Sequence, residues 1–156
     1  MRKGNRIKVS RYFYLDELVP EEVYRQFGAR AIEFLDHRAV NGLDFIRSGT
    51  GYPIIVNNWW KEGQYNYSGY RPPNCSVGAK FSQHKYGRGF DLKSKGLTPP
   101  ELREWLRDIS HAAFLTESGM ITTIEQGTET WTHIDNRHNE NQSWTLREIP
   151  YWRKTA

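Results

Sequence analysis

The sequence predicts a single α+β domain, with N-terminal helices packed on a small, mostly antiparallel sheet. Three observations predict it. The 156 residues carry one cysteine and a hydrophobic share of 37%, which suits one core built without disulfides. Apolar residues recur at helical spacing between residues 15 and 46, and again between 98 and 118. Short β-branched or aromatic runs, bounded by Gly, Pro and Asn, take up much of the rest.

The elements follow in order. Residues 1–12 read as a basic N-terminal arm. Leu15 to Phe27 reads as a helix with Leu18, Val19, Val23 and Phe27 apolar, Asp16 as its cap and Gly28 as its stop. Ala29, Ala31, Ile32, Phe34 and Leu35 continue the helical pattern. It runs on through Val40, Leu43, Phe45 and Ile46, with a break near Asn41-Gly42. Ser48-Gly49-Thr50-Gly51 reads as a loop. The period then changes. Pro53 to Asn57 predicts a strand, and Tyr65 to Tyr70 a second strand end closed by Arg71-Pro72-Pro73. Gly89 to Lys93 predicts another. Thr98-Pro99-Pro100-Glu101 is a capping box with proline in the first turn, and its helix runs to Ser118. Met120 to Ile124, Trp131 to Asp135 and Trp144 to Trp152 predict the last strands. The motif-bearing core spans residues 53–138, with no internal repeat or linker.

Charge and composition narrow the function. Twenty-two Lys and Arg against 18 Asp and Glu give a net charge of +4. That mild excess fits an anionic partner but specifies none. Arg2, Lys3, Arg6, Lys8, Arg153 and Lys154 carry much of it near the ends. The aromatic share of 14% is high enough to line a groove as well as a core. The start, MRKGNRIKVSRYFY, is basic but lacks the apolar segment of a secretory signal. No apolar run approaches the roughly 18 residues of a membrane span. The expectation is synthesis in the cytoplasm, no membrane span, and delivery by another agent for any action outside.

The stretch Ser82-Gln-His-Lys-Tyr-Gly-Arg-Gly-Phe-Asp91 is the most informative. Gly87 and Gly89 rule out one helix carrying both His84 and Asp91. A turn at Gly87 leading into a strand would bring them together. Strand alternation then turns Phe90 and Leu92 to the core and Asp91 to a cleft. Imidazole and carboxylate are zinc ligands, and a catalytic site needs a third ligand and an open position. His133 is the best third candidate, because Trp131, His133 and Asp135 alternate on one strand face. His37 and His111 lie in helical stretches, and His138 lies in a polar one. The same residues have a plainer reading, in which a tight turn explains the glycines and Asp91 pairs with an arginine.

Three segments together resemble one family. Ser82-x-His84-x-x-Gly87-x-Gly89-x-Asp91 is similar to the Ser-x-His-x-x-Gly-x-Ala-x-Asp signature of the zinc D-alanyl-D-alanine carboxypeptidases. That family includes L-alanyl-D-glutamate endopeptidases of phages and bacteria, and shares its fold with the hedgehog signalling domain. Ser68-Gly69-Tyr70-Arg71 and Trp131-Thr132-His133 resemble two further family segments, in the family's order. The resemblance covers residues 68–135, nearly half the chain.

The resemblance implies a hedgehog-like fold and one zinc ion per chain, held by His84, Asp91 and His133. Arg71 would meet the substrate carbonyl and the developing oxyanion, Tyr70 would bind substrate, and Ser82 would support the His84 loop. Two departures stand out. Gly89 replaces the usual alanine, which should loosen the turn. The acidic base that many members carry three residues before the last histidine is replaced by Thr130, and Trp131 stands where others carry a histidine. Glu129 and Asp135 are the nearest acids, with Glu129 slightly favoured as base. Trp59, Trp60, Tyr65, Tyr67 and Tyr70 are candidates for the cleft lining.

The function implied is hydrolysis of peptidoglycan stem peptides by a D,D-carboxypeptidase or an L,D-endopeptidase. A phage endolysin released by a holin, or a virion-associated lysin with virion proteins as partners, fits the size. The alternative is an inactive relative serving as a virion structural or cell-wall-binding module. Nucleic-acid binding has only the basic ends and the aromatics behind it, without a recognisable motif.

Overall fold

The computed structural model describes residues 4–138 and 144–151. Arg2, Lys3, Trp152, Arg153 and Lys154 lie outside the described residues. The described residues form one α+β domain with four α-helices and a mixed five-stranded sheet.

The helical half is more broken than apolar spacing predicts. Residue 19 precedes a proline, which disfavours helical backbone there. A 3₁₀ turn, Leu15–Glu17, therefore stops short, and α1 (Glu21–Phe27) starts afresh with Pro20 as its N-cap. Gly28 ends α1 with φ +53°. A 3₁₀ stretch, Gly28–Phe34, follows. The interruption then falls at Asp36 rather than at Asn41-Gly42, because the Asp36 carboxylate accepts from the Ala39 N–H at 3.0 Å and caps α2 (His37–Thr50). Helix α2 runs through Gly42 and takes in Ser48 to Thr50, the stretch expected to be a loop.

Thr98 caps α3 (Pro99–Arg107), with Glu101 answering in the capping box. The helix expected to reach Ser118 ends at Arg107. Asp108 takes an extended backbone and its carboxylate accepts from the Ser110 and His111 N–H groups, which starts α4 (Ile109–Glu117).

The strands are β1 (Ile54–Ile55), β2 (Gly89–Ser94), β3 (Thr123–Gln126), β4 (Thr132–Asp135) and β5 (Arg147–Pro150). Their order across the sheet is β1-β2-β4-β3-β5. The first three pairings are antiparallel, and β5 joins β3 in parallel. Tyr65 to Tyr70 is not a strand. Its backbone is shared out, with Tyr70 N donating to Leu18 O at 2.8 Å and Ser68 O accepting from Asp91 N at 2.8 Å.

Alternation gives the sheet two faces. Phe90, Leu92, Ile124 and Ile134 point into the core with Leu43, Ile46, Leu102, Leu106 and Leu115. Each such fully buried side chain contributes roughly 1.5–3 kcal/mol of transfer free energy. The opposite face carries Asp91, His133 and Asp135. The N-terminal segment, read from sequence as an arm, is docked on the domain. Ile7 and Val9 pack on the core, and Lys8 bridges to Tyr14. Arg6 pairs with Asp16 at 2.5 Å and lies over the Trp60 ring.

Candidate metal centre

Two neighbouring strands set the centre. Asp91 on β2 and His133 on β4 are register partners, so their side chains stand together on the face away from the core. His84 arrives from a 3₁₀ turn, Gln83–Tyr86, that packs ahead of β2. Ser82 caps this turn, its hydroxyl accepting from the His84 N–H at 3.3 Å. Gly87 closes it with φ +70°, where a Cβ would stand 1.8 Å from the Phe34 carbonyl oxygen. A Cβ at Gly89 would come within 2.9 Å of the His84 nitrogen. The glycine at 89 thus lets the loop pack tighter than alanine allows, where the sequence suggested a looser turn. We expect Gly87→Ala to destabilise the domain by about 3 kcal/mol, combining left-handed strain with overpacking. A midpoint in chemical denaturation unchanged from wild type would contradict this.

The three side chains converge. His84 Nε2 lies 3.3 Å from Asp91 Oδ1, and His133 Nδ1 lies 2.9 Å from the same oxygen. One ligand atom from each residue falls within 4.8 Å of the others. Each imidazole is fixed from its far side. His84 Nδ1 donates to the Gly69 carbonyl at 2.9 Å, and His133 Nε2 faces Asp135 Oδ2 at 2.8 Å. Those bonds leave the His84 Nε2 and His133 Nδ1 lone pairs aimed at the Asp91 oxygen. Three acceptors facing one another need a cation between them. Zinc bonds of about 2.0–2.1 Å in a tetrahedral site hold ligand atoms roughly 3.3 Å apart. The donor set fits a metal ion, with carbonyl and carboxylate partners behind both imidazoles.

Electrostatics follow from the same contacts. Burial pushes the His84 imidazole down, with Asp91 opposing. Burial also opposes charge on His133, but hydrogen bonds to Asp135 and Asp91 outweigh it and raise its pKa to about 10. Burial raises Asp91, and both histidines overcome this to hold it below the usual carboxylate range.

The remaining expected residues take varied places. Arg71 is buried, with Nη2 at 3.4 Å from Asp91 Oδ2 and Nε donating to the Tyr67 carbonyl at 2.7 Å. It braces the outer oxygen of the ligating carboxylate. Tyr70 is buried and stacks on Phe34. Asp135 is fully shielded and gripped by Arg137, whose Nε and Nη2 reach its two oxygens at 2.8 and 2.5 Å. Burial resists its charge, yet Arg137 and His133 lower its pKa to about 2. Glu129 is exposed on the β3–β4 turn. That turn is pinned by the buried Arg103, which donates to Thr128 Oγ1 at 3.0 Å and Thr128 O at 3.2 Å.

Among the aromatics, Trp59 donates to Val19 O and Tyr67 to Glu22, both serving the fold. Tyr65 lies 3.9 Å from Lys93 Nζ on the site side of β2. Trp131 meets Tyr151 edge to face at 5.5 Å.

One residue escaped the sequence reading. Thr123 pairs with Asp135 and Ile124 with Ile134, so the next step in register sets Glu125 beside His133. Glu125 is half-buried. Burial pushes its carboxyl up, the pull of His133 opposes this, and the nearby Asp91 adds to the rise. No motif marks it. Only strand pairing does.

No protein-family model, no curated protein and no solved structure matches the chain.

Proposed function

We propose that the domain is a zinc-dependent peptidase acting on peptidoglycan stem peptides. The observation that carries this reading is the convergence of His84 Nε2, Asp91 Oδ1 and His133 Nδ1, each oriented from behind. Two imidazoles and one carboxylate, three protein ligands in all, are the donor set of a catalytic rather than a structural zinc. Zinc, when bound, is a Lewis acid that polarises a carbonyl and makes water nucleophilic near neutral pH.

The protein's own groups do the rest. Gly69 O and Asp135 hold the two imidazoles in the ligating tautomer. Arg71 steadies Asp91 and keeps a positive charge beside the position of the reacting carbonyl. Lys93 on β2, the Tyr65 ring over its ammonium and Trp131 just before β4 would offer a shelf for the body of the substrate. The substrate class rests on the resemblance of residues 68–71, 82–91 and 131–133 to the D-alanyl-D-alanine peptidases. Within this reading the protein is a lysin that a holin or a virion delivers to the wall. Among the described residues no helix is long and apolar enough to cross a membrane.

The test pairs elemental analysis with mass spectrometry of peptides released from purified peptidoglycan. The expected result is one zinc per chain and new peptide ends, whose identity gives the bond cut. Zinc without release, across several wall chemistries, would favour a wall-binding or virion module that keeps the metal.

A further inference from the structure

We propose that Glu125 is the general base of this centre, supplied by the neighbouring strand rather than by a residue close to His133 in sequence. The proposal rests on the peptidase reading above. Besides the ligand Asp91, three carboxylates stand near His133 in sequence or space. Asp135 has both oxygens engaged by Arg137 and one also by His133, with no side-chain exposure. It holds a ligand and has no lone pair turned to the cleft. Glu129 is exposed, on a turn that Arg103 and Thr128 fix in place.

Glu125 differs from both. One step beyond the Ile124–Ile134 pair, the alternation of β3 puts it on the row of Asp91 and His133, with Ile149 as its partner on β5. Directly paired residues hold their Cβ atoms about 4.5–5.5 Å apart on one face. Two methylenes then lift the carboxylate beside the ligand cluster. Among the described residues no hydrogen bond or ion pair engages that carboxylate, which feels burial and the charges of His133, Asp91, Arg137 and Asp135. A half-buried, unengaged carboxylate beside three converging ligands has the freedom that the other two lack.

The step balances simply. As the oxygen of water bonds to the scissile carbonyl carbon, one water proton passes to a Glu125 oxygen. The carbon–nitrogen bond then breaks and that proton passes to the leaving nitrogen. The products are a carboxylic acid and an amine, and Glu125 returns to its carboxylate form.

The test compares wild type, Glu125→Gln, Glu125→Ala and Glu129→Gln, each loaded with zinc. Peptide release by Glu125→Gln should fall 10²–10⁴-fold, the usual contribution of a general base. Its zinc stoichiometry should stay at one, with affinity in chelator competition well short of the 10–100-fold loss that follows removal of a ligand's partner. Calorimetry should show intact stem peptide still binding. Formate or azide should restore part of the turnover of Glu125→Ala, which a structural role would not allow. Glu129→Gln should match wild type. Turnover by Glu125→Gln close to wild type overturns the assignment, and so does zinc loss, which would make Glu125 a ligand. Wild type that holds no zinc, or cleaves no wall, removes the peptidase reading and this base with it.

Discussion

His84→Ala is expected to abolish stoichiometric metal binding and wall hydrolysis together. Among the described residues, His84 supplies one of the three converging ligand atoms, from a residue that is 4% exposed. Two remaining ligands cannot hold zinc against dialysis, because each lost bond also opens the centre to water. The fold should survive. The deletion costs the hydrogen bond from Nδ1 to Gly69 O, about 1 kcal/mol, and leaves that carbonyl near a vacated space that water can fill. Elemental analysis after dialysis reads the metal, and circular dichroism reads the fold. A variant with full zinc would remove His84 from the ligand set.

Asp135→Ala is expected to give the largest loss of stability of any single change in the centre. Asp135 is the shared anion of two buried or half-buried cations, His133 in its metal-free form and Arg137. Removing it leaves Arg137 without its carboxylate and His133 with Asp91 alone. Breaking a buried pair in this way costs about 3–5 kcal/mol. For a domain of this size that corresponds to a fall of roughly 10 °C in thermal midpoint. Asp135→Asn should lose less, since its amide oxygen still accepts from His133 Nε2. Asp135→Ala should bind zinc 10–100-fold more weakly, because the imidazole loses the partner that fixes its tautomer, and Asp135→Asn, which keeps an acceptor, should lose less. A midpoint within 2 °C of wild type for Asp135→Ala, a shift worth under about 1 kcal/mol, would show that the cluster is not the electrostatic keystone its contacts describe.

The contrast between these residues and Glu125 shows which features a sequence reveals. His84 and Asp91 were legible because glycines and a fixed spacing join them in one short segment. His133 was legible because alternation puts Trp131, His133 and Asp135 on one face. The break at Asp36 and the restart at Asp108 were not. Each depends on one carboxylate turning back to cap a helix, and apolar spacing runs straight across both points. Tyr65 to Tyr70 has the composition of a strand. Its backbone partners include Leu18 and Asp91, in different parts of the fold, and no local pattern could name those two. Glu125 is the clearest case. Its position relative to His133 exists only in the register of β3 against β4, and register is decided by the whole sheet.

The route by which His84 is held reaches back to the other end of the chain. The Leu18 carbonyl accepts from Tyr70 N at 2.8 Å, and a Cβ on Gly69 would stand 2.2 Å from that same oxygen. Glu17 O and Val19 O receive the backbone and side-chain donors of Asn57, at 2.9 and 3.1 Å. Asn57 Oδ1 in turn accepts from Ser68 N at 2.9 Å. Residues 17–19 thus prop the segment whose Gly69 carbonyl orients the ligating imidazole. The motifs therefore do not make up a self-sufficient minimal fragment. An ancestor or an engineered miniature that discarded residues before 53 would keep every ligand and lose the scaffold that aims them. By linkage, anything that strengthens the seating of this N-terminal segment would also tighten the binding of a metal ion at this site, and binding would strengthen the seating in equal measure.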